Sequence, residues 1–453
     1  MDRIVVIRVA ALYTPAMLVV LACVLNPPRK IEAAAALLAS SWCVWSLLFV
    51  NVVATRAGWW TFAPGSGTIA GVPADVLIGW VLFWGAAPVL ALHNVPLLAL
   101  IVAVTALDVA IMPLGAPVVE LNSRWLFGEA LAIAIALVPA QLLARWTVRD
   151  RWLGTRAAMQ AVSFGVLMLW VLPEVVFRYT GGSWAQFLRA WRLAGGLPLQ
   201  LALLPALMGV SAVQEFAERG GGTPIPFDAP RRLVTSGPYA YVANPMQLSL
   251  ALMLTAWGAL IGSGWMMLAG PMAVVYGLGL AASDESHALG ERFGAPWRAY
   301  RRRLRSWIPR LRPFHPSVDF AAAEPETAAP QPARLYVSAT CGRCSEVAAW
   351  FSARRPRGLE IVPAEQHPSR DLWRITYDPG DNTPDEEGVV AVARALEHVH
   401  LGWAILGWTM RLPLLRSVLQ LLVDASGGEP RLIERTLTPQ GEAPHAEVSS
   451  CTR

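Results

Sequence analysis

Lysine is almost absent from this chain: of its 37 basic residues, all but Lys30 are arginine. The net charge of +5 is carried by arginine, which points to a GC-rich bacterial genome more than to a nucleic-acid partner, and no basic stripe with groove-sized elements accompanies it. Charge of either sign is scarce. Only 15% of the 453 residues are charged, against 55% hydrophobic, with a mean hydropathy of +0.44, which excludes a soluble globule of average makeup. Five cysteines are too few for a disulfide framework. Cys23 and Cys43 lie in apolar runs, Cys451 lies in the tail, and only Cys341 and Cys344 have C-x-x-C spacing. There is no G-x-G-x-x-G between strand and helix, so no Rossmann-type nucleotide site is expected.

The longest gap in charge runs from Leu233 to Ser283: 51 residues without Asp, Glu, Lys, Arg or His, bracketed by Arg231, Arg232 and by Asp284, Glu285. This reads as a membrane hairpin that returns two polar clusters, Gly220–Met246 and Asp284–Arg310, to one face. A helix needs about 20 apolar residues to cross the hydrocarbon core. By that measure about nine crossings are expected, near 8–25, 32–53, 74–92, 96–114, 125–144, 157–176, 193–213, 246–262 and 265–283. The N-terminal run lacks a small-residue cleavage site and is read as the first span, not a signal peptide. Loop arginines orient the set, with Arg145, Arg149, Arg151 and Arg156 marking one cytoplasmic loop and the segment after Glu285 another. The expectation is a multi-pass α-helical protein of the bacterial inner membrane.

After Arg312 the composition changes to a Pro/Ala-rich linker, 313–332, and then to a soluble α/β module. In that module ARLYVSAT reads as a strand, CGRCSEVAAWFSARR as a turn opening a helix, LEIVPAE as a second strand and VVAVARALEHV as another helix. From about Gly427 the chain is polar, and 429–453 is expected to be a disordered tail. The domains expected are thus helices of unassigned role at 1–150, a second membrane domain at 151–312, the linker, the module at 333–428 and the tail.

Three glycines followed by Thr223, Pro224 and Pro226 exclude helix and leave backbone groups free for a ligand, while Tyr239 and Tyr241 are rings suited to an interface. Eight arginines between Arg292 and Arg312 suit a basic amphipathic helix on a membrane surface. The pairing of GPYAYVANPM with a distal ERFG…Y…WIPR resembles the isoprenylcysteine carboxyl methyltransferase and phospholipid methyltransferase family of membrane enzymes, over about residues 214–310. That resemblance implies methyl transfer from S-adenosylmethionine to a lipid-borne or prenyl-like acceptor. Gly237, Tyr239, Tyr241, Asn244, Pro245 and Glu285 would contact the cofactor, Glu285 would also be catalytic, and Arg301 or Arg302 would orient an acidic acceptor. The chain departs from the family at Ala243, Gln247, Ser286 and Trp297. The same architecture resembles sterol reductases, so an NADPH-dependent reductase is an alternative, and a lapsed enzyme serving as a membrane anchor is another.

Cys341 and Cys344 follow an apolar strand and open a helix, where the helix dipole and free N–H groups stabilise a thiolate. Cys341 would attack a disulfide, in a protein partner or a small molecule, and Cys344 would resolve the mixed disulfide. The competing reading is a zinc half-site completed by His398 and His400; an inert pair is a third. Residues 333–428 resemble the DCC-type thiol-disulfide oxidoreductases, a thioredoxin-like group, in the cysteine pair and in the stretches Gly388–Val399 and Leu401–Gly428; the Asp which that family carries before its first cysteine is replaced here by Ser338-Ala339-Thr340. In the first 150 residues, Asp108 and Glu129 lie in apolar runs, where an ionisable group is costly and suggests a polar partner.

Overall fold

The computed structural model describes residues 3–65, 67–193, 197–225, 228–278, 280–319, 331–381 and 383–436. Within its helices the side chains of residues 190, 191, 193, 197, 198, 201, 278 and 280–287 lie outside that description. Two compact units result: Met1–Val234 with Asn244–Trp297, and Thr235–Ala243 with Arg298–Arg453.

Among the described residues of the first unit six helices are long and apolar enough to cross a membrane: α1 Arg3–Leu25, α2 Lys30–Ala57, α3 Ala74–Ala91, α4 Leu97–Gly115, α5 Trp125–Val148 and α6 Leu153–Thr180. They meet the first six of the nine expected crossings. Beyond them lie α7 Trp184–Leu193, α8 Leu197–Glu215, α9 Pro245–Leu260 and α10 Gly264–Leu278. Among the described residues the charge-free hairpin is therefore helical; α9 has 16 residues, short of the roughly 20 that span the hydrocarbon core, and α10 is described as far as Leu278. Short strands cap this unit: β1 Trp60–Phe62 pairs with β4 Val119–Leu121, and β2 Thr68–Ile69 with β3 Val72–Pro73, both antiparallel.

Helix α2 is the centre of the unit. Its small residues Ala35, Ala39 and Cys43 are fully buried with Leu47, Val50 and Ala54, the composition that lets membrane helices approach closely. Helix α1 has no fully buried residue: Ile4, Ile7, Ala11 and Val19 pack against the core, while Val5, Val9, Met17, Val20 and Val24 are exposed, as on a helix with one lipid-facing side. Where it crosses α3, a Cβ at Gly79 would lie 2.0 Å from the carbonyl oxygen of Ala11, so that contact requires glycine.

Three spans share one irregularity. A π-helical turn occupies Leu82–Ala86 in α3, Ile133–Leu137 in α5 and Leu167–Val171 in α6, and each ends two residues before a proline, Pro88, Pro139 or Pro173. Proline lacks the N–H that would bond the carbonyl four residues back and clashes with it. Those carbonyls belong to Trp84, Ile135 and Leu169, and each accepts a side-chain donor from elsewhere in the unit: Gln141 Nε2 at 2.7 Å, Trp42 Nε1 at 2.8 Å and Trp257 Nε1 at 2.9 Å.

The polar loops are tied down. Arg156, one of the arginines that marked a cytoplasmic loop, is 1% exposed; it bonds Asp150 at 2.8 Å and Asp228 at 3.2 Å, while Arg231 also reaches Asp150. Nor are the glycine-rich backbone groups free. Thr223 N–H donates to Asp228 O and Arg231 N–H to Gly220 O, and a Cβ at Gly222 would meet Asp228 O at 2.7 Å, so the loop closes on itself.

The second unit holds a four-stranded sheet in the order β6-β5-β7-β8, with β5 Ala333–Val337, β6 Leu359–Pro363, β7 Thr376–Asp378 and β8 Glu386–Glu387. Strand β5 runs parallel to β6 and antiparallel to β7, and β7 is antiparallel to β8. Helix α11 Leu280–Arg303, broken at Gly294, enters this unit at Arg298. Helix α12 Gly342–Ala353 connects β5 to β6, and α13 Val389–Leu396, α14 Leu401–Met410 and α15 Pro413–Val423 follow β8. The apolar run of β5 is central, and Ala333, Leu335 and Val337 pack with Phe351, Ala391 and Ala395. The stretch after Gly428 is not loose, as its polarity suggested. Leu372 and Ile433 exchange both backbone hydrogen bonds, and Arg431 N–H and Thr436 N–H donate to Trp373 O and Glu365 O. The remainder of the tail, 437–453, lies outside the described residues.

Candidate functional site

Because β5 and β6 are parallel, their C-terminal ends lie along one edge of the sheet, and the residues that follow each are brought together there. After β5 comes the loop Ser338-Ala339-Thr340-Cys341; after β6 comes Glu365. The Glu365 carboxylate accepts Ser338 Oγ–H at 3.0 Å and Ala339 N–H at 3.1 Å. Sequence reading missed this residue. The signal available was an acidic side chain directly after the second strand of a strand-helix-strand unit.

Cys341 is the N-cap of α12, with extended backbone, and Cys344 sits one turn inside. The Cys341 thiol is held below the ordinary range, first by a hydrogen bond from Cys344, then by the backbone N–H groups of Cys344 and Arg343. Cys344 is pushed up to about 12, chiefly by burial, with its bond to Cys341 and the charges of Cys341 and Glu365 adding to the effect. Burial works to raise Glu365, but backbone N–H groups, Ala339 among them, and the Ser338 hydroxyl outweigh it and hold the carboxyl below its usual range. One sulfur is thus poised to attack while the other keeps its proton.

Both cysteines line a cleft of about 1230 Å³. Its lining includes the apolar side chains of Val347, Ile375, Val389, Val392 and Met410, together with Glu365, Arg343, Trp373 and residues 429 and 431–434. Of the two histidines weighed as zinc ligands, His398 is buried and bonded through Nε2 to Tyr377 Oη and through Nδ1 to Arg357 O, both at 2.8 Å, and His400 Nδ1 accepts Gly402 N–H at 3.1 Å; no group of three metal-ligating side chains is gathered among the described residues.

Residues assigned by the methyltransferase resemblance are divided between the units: Gly237, Tyr239, Tyr241, Arg301 and Arg302 belong to the second, Asn244, Pro245 and Glu285 to the first. The side chain of Glu285 lies outside the described residues. The tyrosines are not interfacial rings. Tyr239 and Tyr241 are 7% and 1% exposed; Tyr241 Oη donates to Glu397 O at 2.7 Å and its ring stands edge-on to Trp408. Gly237, at φ +59°, opens the short turn that carries them. Pro245 begins α9, and Asn244 Nδ2 donates to Gln247 Oε1 at 3.3 Å. Arg301 bonds Ser306, and Arg302 is exposed.

The chain matches no family model, no curated protein and no solved structure. The site therefore rests on its own geometry.

Buried in the first unit, Asp108 and Glu129 are each 4% exposed. Their carboxyl groups are neighbours, and Trp80 Nε1 donates to Asp108 Oδ1 at 3.2 Å.

Proposed function

We propose that this protein is a membrane-anchored thiol-disulfide oxidoreductase whose second unit carries a thioredoxin-like fold. The observation that carries the reading is the asymmetry of the dithiol, with a helix-capping Cys341 favoured as thiolate and a more buried Cys344 favoured as thiol, both facing one cleft. Cys341 thiolate attacks one sulfur of a substrate disulfide, forming a mixed disulfide and expelling the other substrate sulfur as thiolate. Its negative charge and hydrogen bond to Cys344 are then gone, so Cys344 loses its proton more readily. Glu365, a carboxylate whose charge acts on Cys344 and which lines the same cleft, accepts it. Attack by Cys344 on Cys341 closes the protein disulfide and releases the second substrate thiol: two electrons pass from the dithiol to the substrate. Loop arginines support placing this unit on the cytoplasmic side of a bacterial inner membrane.

In the test, Cys344→Ser is expected to trap a mixed disulfide at Cys341 when a small-molecule disulfide is added. Full exchange activity in Cys341→Ala would end the proposal.

A second reading, methyl transfer from S-adenosylmethionine to a membrane lipid or prenyl-like acceptor, draws support from the convergence of parts of the two motif halves. Tyr300 Oη donates to Tyr239 O, Ala243 N–H to Arg305 O and Arg310 N–H to Tyr241 O. Tyr241 does not fit as a cofactor contact, since its hydroxyl and ring are both engaged, so no methyl-transfer step is derived. The same objection meets NADPH at that residue. Labelled S-adenosylmethionine binding, compared with Glu285→Ala, decides the matter; absence of binding by the unaltered protein leaves the motif a membrane anchor for the dithiol.

A further inference from the structure

One wall of the cleft beside Cys341 is an extended stretch of the chain's own backbone. From Glu429 to Thr436 the backbone runs alongside Asp371–Trp373. Ile433 N–H donates to Leu372 O at 2.8 Å and Leu372 N–H to Ile433 O at 3.2 Å; Arg431 N–H donates to Trp373 O at 3.1 Å. Its C-terminal end is tied as well, by Thr436 N–H to Glu365 O and by Arg435 N–H to Asp371 Oδ1. The same segment lines the cleft that both cysteines line.

Backbone pairing of this kind is indifferent to side-chain identity and serves any extended segment, with affinity from main-chain bonds. We propose that Leu372 and Trp373 form a docking edge for an extended, cysteine-bearing polypeptide, and that residues 429–436 hold that edge until such a segment displaces them. This deepens the oxidoreductase reading and rests on it: the substrate is a protein disulfide presented in a strand, reduced by the Cys341/Cys344 dithiol as written above. The segment competes in cis at high effective concentration, so weakening it raises the share of protein open to a partner.

The full-length protein in detergent micelles supplies the test, with Ile433→Pro, which deletes the N–H bonded to Leu372. Two probes are used on the reduced protein: an extended peptide containing one disulfide, and 2,2′-dithiodipyridine. The peptide rate is expected to rise about tenfold in Ile433→Pro, while the small-molecule rate changes less than about twofold. A synthetic peptide of sequence EPRLIERT added to the variant should bring the peptide rate back down. An unchanged or lowered peptide rate overturns the proposal, and an equal rise for both probes reduces the segment to a lid over the cysteines and overturns the docking edge.

A second measurement requires no change in the segment. In the mixed disulfide of Cys344→Ser with the peptide, amide exchange should accelerate across 429–436 while 371–374 stays protected. Retained protection at 429–436 overturns the proposal. If the unaltered dithiol reacts with neither probe, the oxidoreductase reading itself fails.

Discussion

Trp42 donates its indole N–H to the carbonyl of Ile135 at 2.8 Å, and Ile135 stands four residues before Pro139. The bond replaces the helical partner that proline cannot supply. In a membrane no water can take that role, and a bare carbonyl costs free energy. Trp42→Phe is expected to destabilise the first unit by about 1–3 kcal/mol. In Pro139→Ala the carbonyl can regain an N–H, and the same Trp42→Phe change should then cost less. Thermal unfolding of the four proteins in detergent measures the coupling; additive effects would contradict it.

The Cys341 thiolate is stabilised first by Cys344, so its reactivity should report on that neighbour. Iodoacetamide labelling of Cys341 is expected to reach half its maximal rate at a pH below about 8.5, the ordinary thiol value. Cys344→Ala should move that midpoint upward and slow labelling at pH 7 by roughly three- to tenfold. Mass spectrometry of the labelled peptide across pH 5–10 reads both. An unmoved midpoint would mean that the helix terminus alone sets the value.

Glu365 acts on the second step. Glu365→Gln is expected to lengthen the life of the mixed disulfide at pH 7 by about tenfold to a hundredfold, the difference closing as pH rises and hydroxide takes over. Labelling of Cys341 should stay nearly unchanged, which a general loss of structure would not allow. Rapid acid quench and mass spectrometry give the lifetime; a shorter lifetime would mean that the carboxylate only repels the Cys344 thiolate.

Burial makes the second unit sensitive to acid. His398 is pushed down to about 4, by burial and then the charge of Arg394, and His315 to about 3, by burial and then His398 and Arg357. Their rings are 5.2 Å apart. Unfolded, each titrates near 6.5, so between about pH 6.5 and 4 the unfolded chain binds more protons. Stability should therefore be intact above about pH 6.5 and fall as pH drops, by about 3 kcal/mol for His398 alone at pH 4. Urea unfolding followed by resistance to protease should be less pH-dependent in His398→Gln.

Legibility was uneven for reasons of range. The six spans and the C-x-x-C helix start were readable because hydropathy and capping act within one or two turns. The tyrosine loop misled because GPYAY looks polar and interfacial, yet Tyr241 bonds a carbonyl 156 positions away. The burial of Arg156 was illegible for the same reason: one of the two carboxylates that hold it is 72 positions distant. Polarity after Gly428 suggested disorder, but backbone bonds to Leu372 and Trp373 need no apolar side chain.

By itself the sequence determined which segments are apolar enough to enter a bilayer, where the α/β module starts, and that two thiols share a helix start, since each follows from neighbouring residues. Tertiary structure alone decided which donor answers each proline-freed carbonyl, that Glu365 stands beside Cys344, and that the chain lies along its own cleft. Those depend on strand order and on helix contacts between distant segments, where hydrogen bonds are satisfied by whichever partner folding brings near.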